Sequence, residues 1–293
     1  MPPEYWEGFD PASIPKRPNF AIYPENKPDL QKIHADESEL KGADWGSYIK
    51  SQYQFYGCNS YIDREIGRVI DEVNTLHKDD TIIIYTSDHG DMQGSHCLKT
   101  KGPMMYEEIT NIPFIIRVPD IKEGKVSESL VSHIDILPTM LDYTGIEIPE
   151  SLQGRSIRPI LSGTSSSVRE HTLISWNRFA INHDMWGEFY PIRCMTDGRY
   201  KLSVNLFETD ELYDTQEDPY ELKNRIGDPA LVKVRDSLHD SLIQEMDRIR
   251  DPFRSWRWAS RPWRKIRKPH YYDLPQRKSP EGFPFQPGTP DWT

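Results

Sequence analysis

Residues 81–92 read Thr81-Ile82-Ile83-Ile84-Tyr85-Thr86-Ser87-Asp88-His89-Gly90-Asp91-Met92. The first six are β-branched or aromatic and uncharged, the composition of a strand covered on both faces rather than of one that alternates apolar and polar. An acid, an imidazole and a glycine then follow almost at once. A continuous apolar strand of this kind is expected near the centre of a parallel sheet. In an open α/β sheet the loops leaving the carboxyl ends of the strands form the ligand crevice. Asp88 and His89 therefore fall where chemistry is expected.

The neighbouring sequence extends this pattern in both directions. Upstream, Ile62, Ile66, Val69, Val73 and Leu76 step by four, three, four and three, which predicts a long helix over 44–76 with an apolar stripe facing inward. Downstream, Pro113-Phe114-Ile115-Ile116-Arg117-Val118 reads as a second buried strand, and a helix over 134–143 stops at Gly145, a favoured residue just past a helix end. Helix, strand, loop, strand and helix in this order predict an α/β fold with a doubly wound, mostly parallel sheet. Residues 1–40, rich in Pro, Asn and Asp, read as an extended segment crossing a surface. Beyond the Ser/Thr/Gly stretch 162–167 the character changes to short strands at 173–176, 192–195, 200–204 and 211–214. Asp197-Gly198 marks a hairpin, and a helix over 231–249 follows, together giving a small α+β subdomain. The expected organisation is 1–165 for the α/β part, 166–252 for the subdomain and 253–293 for a tail rich in Pro, Arg and Trp.

Composition narrows the function classes. Net charge over the 293 residues is −10, so bulk attraction to polyanions is not expected. The charge is uneven: after Pro252 nine Lys or Arg face three acidic residues, a surplus of six that leaves −16 on the rest. Cys58, Cys97 and Cys194 are far apart and form no Cys-x-x-Cys pair, which argues against a disulfide framework or a zinc knuckle. No apolar run reaches the length of a membrane span. The first residues, Met-Pro-Pro-Glu-Tyr-Trp, lack the basic and apolar regions of a signal peptide, and the compartment stays unread.

The loop after Asp88 and His89 also holds Asp91, His96, Lys99 and Lys101. Carboxylate, imidazole and ammonium groups together suit a metal-bridged anion, in which a cation polarises a substrate oxygen and a lysine balances the remaining charge. The competing reading is a solvated loop with Asp88 capping a helix and His96 at the surface. Placement at the end of an apolar strand, before a loop rich in Gly and Lys, favours the first. From the residues alone the function reaches as far as a metal-assisted hydrolase or an anion site.

Tyr85-Thr86-Ser87-Asp88-His89-Gly90-Asp91-Met92, Gly94-Ser95-His96 and Lys101-Gly102-Pro103-Met104-Met105-Tyr106-Glu107-Glu108 together resemble the second signature of the formylglycine-dependent sulfatases, of the alkaline phosphatase superfamily. The resemblance continues through Ile112-Pro113-Phe114-Ile115, His133-Ile134-Asp135-Ile136-Leu137-Pro138-Thr139, Leu152-Gln153-Gly154-Arg155-Ser156, Arg199-Tyr200-Lys201-Leu202 and Glu211-Leu212-Tyr213-Asp214, with Asp218-Pro219 and Glu221 after it. It implies an incomplete alkaline phosphatase-like fold, with 1–165 as the C-terminal part of the sulfatase α/β domain. It also implies hydrolysis of sulfate esters on a sulfated sugar or polysaccharide. Asp88 and His89 would then be ligands of Ca²⁺ (or Mg²⁺), Lys101 would hold the sulfate or its bridging oxygen, and His96 would assist catalysis nearby. Arg178 and His183, with Asn177, would reach toward the sugar.

The family's nucleophile is a Cys or Ser converted to formylglycine, within Cys/Ser-x-Pro-small-Arg, following paired metal-binding aspartates. None of the three cysteines has Pro two residues later. Ser13-Ile14-Pro15-Lys16-Arg17 fits formally, but Lys16 takes the place of the small residue and no aspartate pair precedes it. The expectation is a chain that supplies metal- and sulfate-binding residues without the nucleophile. That would be a truncated gene, an enzyme completed by its missing N-terminal half or a second subunit, or a pseudoenzyme. Such a piece would leave strand edges and apolar helix faces uncovered. Two other functions stay open: a phosphonate or phosphodiester hydrolase of the same superfamily, since both transition states spread charge over equatorial oxygens, and a catalytically inactive sulfatase-like binding protein. Arg and Trp interleaved after Pro252 could stack on nucleic acid, but the acidic body weighs against it, and no nucleic-acid partner is expected.

Overall fold

The computed structural model describes residues 2–5, 7, 10–77, 80–121, 124–178 (Arg178 by its backbone) and 189–264. His183, the side chain of Arg178, and the basic residues Lys265, Arg267 and Lys268 lie outside what is described. The α-helices are α1 (Asp29–Glu37), α2 (Trp45–Leu76), α3 (Glu107–Thr110), α4 (Ile136–Tyr143), α5 (Arg158–Leu161), α6 (Val232–Arg248) and α7 (Trp256–Ala259). The strands are β1 (Ile83–Thr86), β2 (Phe114–Arg117), β3 (Thr172–Arg178), β4 (Phe189–Thr196), β5 (Tyr200–Asn205) and β6 (Glu211–Asp214).

The long helix begins where its sequence says, because the Asp44 carboxylate accepts the Ser47 amide (3.1 Å) and so satisfies an otherwise unpaired donor of the first turn. The β4–β5 hairpin turns through Asp197 and Gly198, the glycine at φ +94°, with the Asp197 carboxylate accepting from the amides of Arg199 and Tyr200. β3 to β6 form a four-stranded antiparallel meander, with α6 packed against β4 and β5 around Leu202, Leu212, Leu238, Leu242 and Met246.

The structure departs from the sequence reading at several points. The chain does mix helices and strands in the α/β manner, but among the described residues every strand pair is antiparallel, including β1 with β2. The β-branched run fits a strand whichever way its neighbour runs, so it does not encode direction. β1 is also not covered on both faces: Tyr85 is 43 % exposed and its cross-strand partner Ile115 63 %. The stripe on α2 is likewise open, with Ile62 at 47 %, Val69 at 65 % and Leu76 at 62 %. Residues 1–40, read as an extended surface segment, contain α1 and bury Asn19, Phe20, Lys27, Gln31 and Ala35. Gln31 and Ala35, one turn apart, are too short a pattern to register as a period. From 253 the Pro, Arg and Trp tail begins by packing onto the subdomain. Trp258 is fully buried, and Arg261 reaches back to pair with buried Asp210 (2.8 Å). Among the described arginines of the basic run, Arg254 pairs with Asp247 and Arg264 with Asp240.

One buried ion cluster joins the subdomain to the rest. The Lys201 ammonium on β5 donates to the Met105 carbonyl (2.8 Å) and pairs with Glu107 (2.6 Å) and with fully buried Glu221 (2.8 Å). Burial pushes the Glu221 carboxyl up to about 7 against the pull of that ammonium. Beside it the Lys27 ammonium lies over the rings of Tyr106 (4.8 Å) and Tyr213 (4.4 Å), and burial brings it down to about 8 although Glu211 and Glu221 oppose the shift.

Removing one partner of such a cluster leaves a buried charge uncompensated. Lys201→Met should therefore destabilise the fold by about 3–5 kcal/mol, read as a lower urea midpoint at unchanged slope. Val69→Glu together with Ile115→Lys should raise the soluble fraction of the chain, since both replace apolar surface already open to water. Their cost in stability should stay within about 0.5 kcal/mol, measured by the same denaturation curve.

Candidate functional site

Asp88 and His89 leave the end of β1 on a tightly specified backbone. The His89 amide donates to the Asp88 carboxylate (3.0 Å), and the Ser87 hydroxyl donates to the His89 carbonyl (2.8 Å). Gly90 then passes against α3, its amide donating to the Ile109 carbonyl (3.0 Å). A Cβ on Gly90 would stand 1.8 Å from the Glu108 carbonyl oxygen, so only glycine fits this crossing.

The imidazole of His89 is oriented by its own backbone. Nδ1 lies 2.8 Å from the Gly90 carbonyl, and a carbonyl only accepts, so Nδ1 carries a proton; in the neutral form of the ring the lone pair is then on Nε2. That Nε2 sits 3.5 Å from the Asp88 carboxylate, which is itself 84 % exposed. A carboxylate oxygen and an imidazole lone pair are suitable donors for a divalent cation, and a second hydrogen bond that sets the histidine tautomer is usual in metal sites. Among the described residues no group of three or more His, Cys, Asp or Glu gathers to hold an ion. Hard cations take six or more ligands, so the pair fits as part of a cation site rather than a complete one.

Lys101 acts on the same place. Desolvation is the largest single influence and raises the Asp88 carboxyl, but His89, backbone amides and, least of these, the Lys101 ammonium together hold it below the usual carboxylate range. Lys101 itself is exposed. The loop that carries it is tightly tied: Met92 donates to the Thr100 carbonyl (2.7 Å), Ala21 to Gly94 (2.9 Å) and His96 to Asn19 (2.8 Å). Gln93, His96, Cys97 and Thr100 all adopt positive φ, at 45°, 54°, 60° and 57°. Asp91 is used within the loop, accepting from the Gln93 amide and side chain.

His96 does not stand beside the substrate face. It is 1 % exposed and stacked on the Tyr106 ring at 4.1 Å and 15°, with Asn19 at 3.3 Å from its Nε2. Burial, and then the Lys27 charge, hold it well below its ordinary pKa and therefore neutral. It is held between the Tyr106 ring, the Asn19 amide and the Tyr220 backbone, inside the lysine loop. Ser13 donates to the Asp10 carbonyl (2.7 Å) in a short 3₁₀ turn. His133, which sequence reasoning passed over because it has no ligand spacing to Asp88, lies 2.7 Å from the Ser87 carbonyl. Hollows of about 270 Å³ (around His171, Tyr200 and Lys233) and about 400 Å³ (around Tyr143 and Arg158) involve none of Asp88, His89 or Lys101, whose face is open.

Residues 94–248 match the family model described as N-sulphoglucosamine sulphohydrolase, C-terminal, and residues 14–146 match the sulfatase model. The uncharacterized sulfatase YidJ of Escherichia coli (strain K12) is 41 % identical over 258 residues, covering 88 % of this chain and 50 % of the relative. The N-acetylglucosamine-6-O-sulfatase of Bacteroides thetaiotaomicron is 31 % identical over 73 % of this chain and 39 % of its own length. A protein solved with its substrate D-glucosamine-2-N,6-O-disulfate superimposes with a TM-score of 0.64 at 27 % identity, over 70 % of this chain and 42 % of that one. The phosphonate monoester hydrolase of Silicibacter pomeroyi gives 0.68 at 26 %, over 84 % and 53 %. The chain spans about half the length or less of these curated relatives. With the Asp-His pair inside the sulfatase match and Lys101 inside both matches, the chain belongs to the sulfatase family.

Proposed function

We propose that this chain supplies the cation- and sulfate-binding part of an enzyme that hydrolyses sulfate esters on a sulfated sugar. The observation that supports it best is the oriented Asp88–His89 pair at the open end of β1, with the Lys101 charge acting on the same carboxylate. Bound there, Ca²⁺ (or Mg²⁺) would polarise a sulfate oxygen. Asp88 through its carboxylate and His89 through Nε2 would hold it, and Lys101 would neutralise the ester oxygen that departs. The remaining ligands and the formylglycine nucleophile of the family would come from a complementary polypeptide, whether a preceding segment or a second subunit. Relatives named for sulfated glucosamine support a sulfated amino sugar as the substrate class.

A second reading, hydrolysis of a phosphonate monoester, is favoured by the Silicibacter pomeroyi enzyme of like fold. Both esters place negative oxygens around a central atom, and Asp88, His89 and Lys101 would serve either.

The test begins with calorimetric titration of Ca²⁺ into the chain. Asp88→Ala should abolish the heat of binding. Equal binding by the variant would remove the cation site from Asp88. For turnover, the chain is mixed with the first half of the E. coli relative and given a glucosamine sulfate or a phosphonate monoester. The sulfate should be the preferred substrate, and Lys101→Ala should lower kcat/KM by on the order of 100-fold or more, as loss of one charge-stabilising group does. Preference for the phosphonate would overturn the sulfatase assignment.

A further inference from the structure

We infer that His133 is a positioning residue for the Asp88–His89 pair, holding the carbonyl of Ser87 and so fixing the peptide from which Asp88 projects. This deepens the cation-site reading above and rests on it only for the binding arm of the test.

The contact is specific. The His133 Nε2 lies 2.7 Å from the Ser87 carbonyl oxygen, and since that oxygen only accepts, Nε2 carries the proton. Thr86 places its hydroxyl 3.5 Å from the same nitrogen. No other hydrogen bond to the Ser87 carbonyl stands close to this one in length; the Thr86 hydroxyl is 3.4 Å away. The peptide that precedes Asp88 is thus steered mainly from a residue 46 positions later in the chain.

His133 can act as a fixed post because the 3₁₀ turn it starts, His133–Asp135, is clamped from below. Asp135 is fully buried and accepts from the amides of Ser132 and Arg155 (2.8 Å each) and from the Arg169 guanidinium. Gly154 lies so close that a Cβ there would meet the Ile134 carbonyl oxygen at 1.9 Å. Two sequence motifs that carry no chemistry of their own, around Asp135 and around Gly154, therefore meet in a rigid base. The ring on top of it is exposed and free of core packing, so its one evident task is the Ser87 carbonyl. Partners of this kind, one shell out from a ligand, commonly tune metal affinity by 10–100-fold.

The experiment compares the full chain with His133→Ala and His133→Gln, the glutamine amide keeping a donor at about the same reach. Hydrogen exchange read by mass spectrometry should show faster exchange of peptides covering 83–92 in His133→Ala, by about fivefold for the loss of one hydrogen bond of about 1 kcal/mol. Protection should return in His133→Gln, and peptides covering β4 and β5 should be unchanged in both. Ca²⁺ titration should show weaker binding in His133→Ala, by about tenfold, restored in His133→Gln. Unchanged exchange at 83–92 in His133→Ala would overturn the proposal, as would loss of protection throughout the sheet, which would make the residue merely structural. If 83–92 loosens as expected while the parent chain itself binds no Ca²⁺, the positioning role stands and the cation reading fails.

Discussion

The Lys201 ammonium is the point on which the two parts of the chain turn. It comes from β5, deep in the antiparallel subdomain, yet its partners are the Met105 carbonyl and Glu107 beside the lysine loop, and Glu221 from the segment after β6. A charge so completely buried is tolerable only when it is paired and hydrogen-bonded; here it donates to the Met105 carbonyl and to Glu107, and the Glu221 carboxylate lies 2.8 Å away. Packing alone would let the subdomain slide on the loop. The ammonium sets a single register between them. The helix end at Glu107 is then in place to crowd Gly90, whose amide also bonds Ile109 and whose close approach to Glu108 sets the direction in which Asp88 and His89 emerge.

Much of this was legible from residues alone. The 44–76 helix declared itself through its apolar steps, and the Asp197-Gly198 hairpin through turn chemistry that only a few residues allow. The placement of Asp88 and His89 just past a strand end was legible because an apolar β-branched run stops there and a glycine follows. Strand direction was not, since β-branched residues favour pleated backbone whatever lies alongside. Nor was the fate of His96: an imidazole three residues from a lysine looks the same on paper whether it meets solvent or a tyrosine face. His133 was hidden for a different reason. Its partner is a backbone carbonyl, and main-chain acceptors leave no mark in a sequence.

The open surfaces fit the same account. Tyr85 and Ile115 face each other across β1 and β2 and look into water, as do Val69 and Leu76 on α2. The Asp88–His89 pair stands just past the end of that thinly covered sheet. A polypeptide that covered the sheet would be well placed to complete the cation site proposed there.

The handedness of the lysine loop has a thermal consequence. Gln93, His96, Cys97 and Thr100 each sit in a left-handed backbone well that costs an L-residue on the order of 1 kcal/mol or more. The loop is in effect a wound spring, latched by Asn19, Ala21 and the stacked ring of Tyr106. On warming, a latch of a few hydrogen bonds gives way before a sheet does. The ammonium of Lys101 would drift from the Asp88 carboxylate while β3 to β6 are still intact, and loss of function would run ahead of melting.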